Sequence, residues 1–176
     1  MSEKQTFEQT AWQLDDLLAS HQGPEFEKTL DELESLVVEV ESWRERLSPD
    51  MPEGEFVELL DLQKSLMELA YRLNAYGGLW FSADTQSQDA LNYRGQVDQR
   101  IADVQNRTLF FDLWWKALDD EAAARLMAAS GDDVYYLETL RRFKPHTLSE
   151  VEEKVINLKD LNGAEALNTI YDMITN

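Results

Sequence analysis

The sequence predicts an all-α fold: an elongated antiparallel bundle of three long helices followed by a cluster of shorter helices. Three observations carry that reading. Long stretches repeat apolar residues at steps of three and four, the spacing of one helix face. Proline and glycine punctuate the chain between those stretches. No stretch alternates apolar and polar residues with the period of a strand, and there is no internal repeat or low-complexity segment.

Residues 1–23 form a mostly polar connector around one amphipathic patch, Trp12, Leu14, Leu17 and Leu18. Gly23-Pro24 opens the first long helix, because proline at the first helical position gives up no bonded N–H. Phe26, Leu30, Leu33, Val37, Val40 and Leu47 carry the pattern to residue 47, where Ser48-Pro49 and Pro52-Glu53-Gly54 break it. Leu59, Leu62, Leu66, Leu69, Leu73, Tyr76 and Trp80 then form a packing seam. The short Pro/Gly loop makes these two helices an antiparallel hairpin. Gly77-Gly78 in the second helix costs about 1 kcal/mol per glycine relative to alanine, which points to a kink or a close helix approach.

The third long helix, residues 85–118, is the organising element. Ala90, Val97, Ile101, Val104, Phe111 and Trp115 share one face, with Thr108 filling the gap. A continuous helix here is about 50 Å long. Thr85 to Gln88 fits a capping box. Leu109, Phe110, Phe111, Leu113, Trp114 and Trp115 leave its last turns with no polar side, so other segments must converge there. Core packing is the ordinary use of these rings; stacking on a ligand is the alternative. The expected core includes Leu62, Leu66, Leu69, Leu73, Val97, Ile101, Val104, Phe111 and Trp115, with Glu39 and Asp98 on polar faces.

Beyond residue 118 the elements shorten. Asp119-Asp120 caps a helix to Ala129, and Ser130-Gly131-Asp132 ends it. Val134 to Phe143 makes another, stopped by Lys144-Pro145. Ser149-Glu150-Val151-Glu152 is a second capping box, opening a helix towards Leu158. Asn162-Gly163 is a turn, and Ala164 to Ile174 forms the last helix. The expected organisation is a connector (1–23), a long-helix bundle (24–118) and a short-helix subdomain packed on the end of the bundle (119–176).

Acidic residues number 35 against 16 basic ones, for a net charge of −19. The imbalance is steepest in residues 1–68, with 18 acids and 5 bases. Such a surface repels phosphate backbones and anionic lipid, so neither nucleic acid nor membrane is an expected partner. It is either a solvated helix face or a field that attracts cationic peptides. There are no cysteines, hence no disulfide framework and no thiolate site. The start lacks a signal-peptide core and no apolar run approaches the ~20 residues of a membrane span. The expected location is the cytoplasm.

Catalytic constellations are missing. His21 lies in the connector and His146 follows Pro145; neither has glutamate three residues before it, and no H-E-x-x-H occurs. No glycine-rich phosphate loop is present, and the carboxylates scatter on outward positions. We assign no catalytic, cofactor or metal residue; the isolated chain is expected neither to bind stoichiometric zinc nor to cleave peptides. Four residues are candidates for contact with a peptide or a neighbouring lobe. Tyr135 and Tyr136 either pack with a hydroxyl at the surface or offer a phenol to a peptide. Arg141 and Arg142, with Lys144, either favour a helix C-terminus or pair with an acidic lobe.

Several stretches together resemble the N-terminal region of oligoendopeptidase F-type zinc peptidases, relatives of thimet oligopeptidase. They are Trp12-Gln13-Leu14-Asp15-Asp16-Leu17; Ala70-Tyr71-Arg72-Leu73 with Phe81-Ser82-Ala83-Asp84-Thr85; and Gln105-Asn106-Arg107-Thr108-Leu109-Phe110-Phe111. The run from Arg142-Phe143-Lys144-Pro145-His146 to Glu152-Glu153-Lys154 and the ending Ile170-Tyr171-Asp172-Met173-Ile174-Thr175 extend the resemblance over nearly the whole chain. The resemblance implies a helical lobe that walls one side of a deep cleft and limits access to short, extended peptides. It implies a downstream catalytic domain of the same polypeptide, carrying the H-E-x-x-H and zinc, and an oligopeptide substrate. This chain stops at Asn176, so it is read as an excised N-terminal region or a truncated relative. If a catalytic lobe normally covers it, an apolar surface is expected among Tyr135, Leu137, Leu140, Val155, Ile156, Leu158, Leu161, Ile170, Tyr171 and Ile174. The isolated chain would bury that surface as a homodimer. The alternative is a stand-alone acidic bundle serving as an interaction or scaffold module.

Overall fold

A computed structural model describes residues 12–175. Among the described residues seven α-helices follow one another: α1 (Pro24–Ser42), α2 (Glu53–Ala83), α3 (Gln88–Ala117), α4 (Asp120–Ala128), α5 (Val134–Arg142), α6 (Glu150–Asn162) and α7 (Ala164–Thr175). No strand occurs among the described residues, so the fold is all-α, as the sequence predicts.

The long helices form the bundle. Phe56 of α2 stacks on Phe111 and Trp115 of α3, while the Tyr93 hydroxyl donates to the Leu73 carbonyl, so α2 and α3 run antiparallel. Phe26 meets Tyr93 near the start of α1, and Glu34 and Glu41 farther along it receive Arg107, so α1 runs parallel to α3. Arg107 bonds Glu41 through two nitrogens, at 2.9 and 2.7 Å, and this hydrogen bonding holds the Glu41 carboxyl below its ordinary value.

The apolar end of α3 is covered from several sides. Phe110, Phe111 and Trp115 are buried and Leu109, Leu113 and Trp114 half-buried. Trp115 donates its indole N–H to the Leu137 carbonyl at 2.9 Å, which fixes α5 across this end. Asp119 caps α4 by accepting from the Ala122 N–H. The chain then returns: α6 lies along α3, joined to it by Asn157 to Asn106, while Glu150 pairs with Arg44 just after α1. The Ser149–Glu152 capping box opens α6 as expected.

Four details differ from the sequence reading. Helix α1 ends at Ser42, not residue 47; the Ser42 hydroxyl donates to the Glu39 carbonyl, competing with the helix ladder, and a single 3-10 turn follows at Arg44–Arg46. Helix α3 is capped by Ser87, whose hydroxyl accepts from the Ala90 N–H, rather than by a Thr85–Gln88 box; Gln88 bonds Asn92 instead and Thr85 is buried. Helix α6 continues past Leu158 to Asn162. Leu62 and Ile101 only flank the core that the other seven predicted residues enter.

Gly77 settles the glycine question in favour of close approach. A Cβ there would stand 3.0 Å from the Tyr93 ring, whereas one at Gly78 would meet nothing within 4 Å. His21 is not free in a polar connector: its ring lies 4.5 Å from that of Trp80, and its Nδ1 is 3.4 Å from the Tyr76 hydroxyl.

Candidate functional site

The four candidate contact residues have different fates. Arg141 is committed to structure. Its guanidinium donates to the carbonyls of Trp115 and Leu118, at 2.9 and 3.1 Å, and to the Asp120 carboxylate at 2.7 Å. Lys144 joins it on the Leu118 carbonyl. These cations satisfy the open carbonyls at the end of α3, a different helix from the one that carries Arg141. Arg142 is exposed, with its guanidinium over the Tyr135 ring, and Tyr135 itself is 71% exposed. Tyr136, 40% exposed, lines a cavity.

That cavity, of about 250 Å³, lies between α2 and α5. Helix α2 supplies Leu60, Gln63, Met67 and Tyr71, four positions that recur at three- and four-residue steps and so share one face. Tyr136 of α5 forms the opposite wall. Lys64 bridges the mouth by pairing with Asp133, at 2.9 Å, in the turn before α5. Hydrogen bonds to Asp133 and then Asp61 raise the Lys64 ammonium above its ordinary value. Burial pushes the Tyr136 phenol well above its ordinary value, with the Asp112 carboxylate adding to the rise. Burial likewise raises the Asp112 carboxyl; Lys116 pulls it back in part and Glu153 adds to the rise.

One atom buried behind the α2 wall is unusual. The Gln63 side-chain amide nitrogen is buried and has no hydrogen-bond partner. A buried donor left unpaired costs about 1–3 kcal/mol. The sequence reading passed over both Gln63 and Asp112, although each left a signal. Gln63 is a polar residue in phase with Leu60 and Met67, and Asp112 is the lone acid within the run Leu109 to Trp115.

A second, polar cavity of about 370 Å³ separates the α2–α3 hairpin from α6 and α7. Asp98 sits there, half-buried rather than on a solvated face. It accepts from Asn74 at 3.3 Å and lies 3.8 Å from Arg94, yet burial holds its carboxyl above the ordinary value. Arg94 also reaches Asp172 of α7 at 3.8 Å.

Helices α6 and α7 contain no buried residue. Leu167, Ile170, Tyr171 and Ile174 recur at the spacing of one face of α7, and all four are exposed, Ile174 to 78%. Val151, Val155 and Leu158 form a similar exposed stripe on α6. The expected apolar surface therefore exists in part: Leu137 is buried and Leu140 half-buried against the core, but Val155, Ile156, Leu158, Ile170, Tyr171 and Ile174 are open.

Among the described residues, no group of three or more His, Cys, Asp or Glu side chains is placed to hold a metal ion. No helix among them is long and apolar enough to cross a membrane. The arrangement offers contact surfaces and a side-chain-sized pocket.

No curated protein and no solved structure matches the chain. A family model described as Oligopeptidase F does match, over residues 114–176. Those residues run from the end of α3 through α7, the stretch that includes the Arg142-to-Lys154 and Ile170-to-Thr175 motifs. Over that stretch, about a third of the chain, the protein is similar to the Oligopeptidase F family.

Proposed function

We propose that this chain is the N-terminal helical lobe of an oligoendopeptidase F-like zinc metalloendopeptidase. It walls the substrate cleft, restricts access to short peptides and performs no catalysis itself. The observation that carries the reading is a coincidence of place. The stretch that matches the family, 114–176, is also where apolar side chains stand at regular helical spacing without a partner. Proteins that act as monomers in water rarely expose apolar patches above several hundred Å². A catalytic domain of the same polypeptide packed on α6 and α7 supplies the missing cover.

The residues present do not fit a zinc site: His21, half-buried, packs against the Trp80 ring, and no acidic or histidine cluster among the described residues has the placement. Zinc and its H-E-x-x-H ligands therefore belong to the downstream domain, where the metal would activate water for peptide hydrolysis. Rigidity suits the role of this chain. Three long helices locked by Arg107 and by the aromatic stack on Phe56 make a firm wall.

Light scattering across concentration and salt tests the reading. The isolated chain should self-associate at high micromolar concentration, most simply as a symmetric homodimer. Added salt should favour this, because a net charge of −19 drives molecules apart at low ionic strength. Replacing Leu167 and Ile170 together by glutamate should give a monomer with unchanged helix content. A wild-type chain that stays monomeric at moderate salt would instead favour the stand-alone acidic bundle.

A further inference from the structure

We propose that α6 and α7 form a hinged arm that seats on α3 in acid and lifts at neutral pH, with Asp98 as the group that senses the change. The inference stands apart from the peptidase reading, and the structure describes the seated arm.

The arm is the least embedded part of the fold. Helices α1 to α5 each bury at least one residue, whereas α6 and α7 bury none. Its two halves are held unequally. The start of α6 is tied by the short connector from α5, whose Lys144 bonds the Leu118 carbonyl, and by Glu150 on Arg44 at 2.7 Å. Midway, Asn157 donates to Asn106 at 3.0 Å. On α7, Asp172 stands 3.8 Å from Arg94, beyond the reach of a direct hydrogen bond. An arm tied at its start and loosely held farther on swings about the start.

The loose half closes over a carboxyl. The polar cavity of about 370 Å³ lies in this part of the seam, so the arm and the α2–α3 hairpin are not packed together there. Asp98 of α3, Asp160 of α6 and Glu165 of α7 all line it, and Arg94 is the single cation among its lining residues. That guanidinium is shared: it lies 3.8 Å from both Asp98 and Asp172, and over the Phe81 ring. From α2 the neighbour of Asp98 is Asn74, which is neutral and donates at 3.3 Å. Three carboxylates thus converge on one divided positive charge. Seating the arm removes water from Asp98 and brings up Glu165, and both disfavour the charged carboxylate; Arg94 offsets them in part.

The sign follows from linkage. A carboxyl that is raised in the seated state and ordinary in the lifted one takes up a proton as the arm closes. Closure is therefore opposed above the raised value, favoured as pH falls through it, and fully relieved below the ordinary value of 3.8.

The test reads the arm directly. The chain has no cysteine, so Asn168→Cys on α7 and Ser65→Cys on α2 place one pair of spin labels at exposed positions. Pulsed electron resonance on the whole chain, kept monomeric at low micromolar concentration, gives the distribution of distances between them. At pH 7 that distribution should contain a long-distance population beside the seated one. Lowering the pH to about 4.5 should reduce the long-distance population at least about three-fold. Asp98→Asn should keep the arm seated at pH 7 and remove the response, and Glu165→Gln should act in the same direction with a smaller effect. Glu39→Gln, which removes the same charge from the far helix α1, should change nothing. A single distribution at both pH values, a lifted population that persists in Asp98→Asn at pH 7, or an equal effect from Glu39→Gln would overturn the proposal.

Discussion

Two adjacent glycines on α2 should respond to the same substitution with opposite signs. Replacing glycine by alanine inside a helix gains about 1 kcal/mol from backbone entropy alone. At Gly78 nothing lies within 4 Å of the new methyl group, so Gly78→Ala should keep that gain. On a chain of this size, it corresponds to a rise of about 2–4 °C in Tm. At Gly77 the methyl would stand 3.0 Å from Tyr93 Cε1 and 3.1 Å from Cδ1. The ring has little freedom to retreat. Its hydroxyl is bonded to the Leu73 carbonyl, and Phe26, Tyr76 and Trp80 pack around it with centroids 5.3 to 5.9 Å away. Overpacking of this kind costs about 1–3 kcal/mol. Gly77→Ala should therefore end between no change and about 2 kcal/mol less stable, leaving about 1–3 kcal/mol between the two variants. Urea denaturation followed by circular dichroism resolves that difference. If both variants gain equally, α2 and α3 do not approach at Tyr93 as described, and the antiparallel register of the bundle is wrong there.

Arg141→Met should cost about 2–3 kcal/mol in the same assay, because it strips charged donors from buried carbonyls at the end of α3; Arg142→Ala should stay within about 0.5 kcal/mol. The contrast checks that Arg141 holds the fold rather than awaiting a partner. Asp112→Asn should be more stable than the wild type at pH 7, with the gap closing in acid. Because burial raises the folded-state value of Asp112 above 3.8, the wild type loses stability as pH rises from the ordinary carboxyl value through the raised one, whereas the asparagine variant does not. Denaturation at pH 7 and pH 4 measures the gap, and a gap that widens in acid would contradict the sign of the shift.

The long helices were legible because each repeats its apolar residues over many turns, and one register satisfies them all. Their ends were less so. Ser42 bonds the Glu39 carbonyl at the end of α1, and Ser87 takes the cap that Thr85 also fitted; in each case a hydroxyl engages backbone groups of the adjoining helix. The site was partly legible. A tyrosine pair on a short helix marks Tyr136 as a candidate but does not say that α2 faces it, since the pairing of α2 with α5 depends on how Trp115 seats Leu137. Which helix end Arg141 serves was not legible for a related reason. A cation near a helix end suggests its own helix or a partner, and only the return of α5 past α3 shows which carbonyls it reaches.

Helix α7 shows where sequence and this chain together stop determining structure. Its apolar stripe is regular, yet it buries no residue; it packs on α6, and its Asp172 stands 3.8 Å from Arg94 of α3. Helices shorter than about 12–15 residues are marginal in water, and most helical stability in proteins comes from packing an apolar face. At 12 residues, α7 therefore depends on cover more than any long helix here. Whatever buries Leu167, Ile170, Tyr171 and Ile174 also orders the helix that presents them. Under the lobe reading, cover by the catalytic domain and the rigidity of this wall are one equilibrium, and the wall is complete only when the domain is seated.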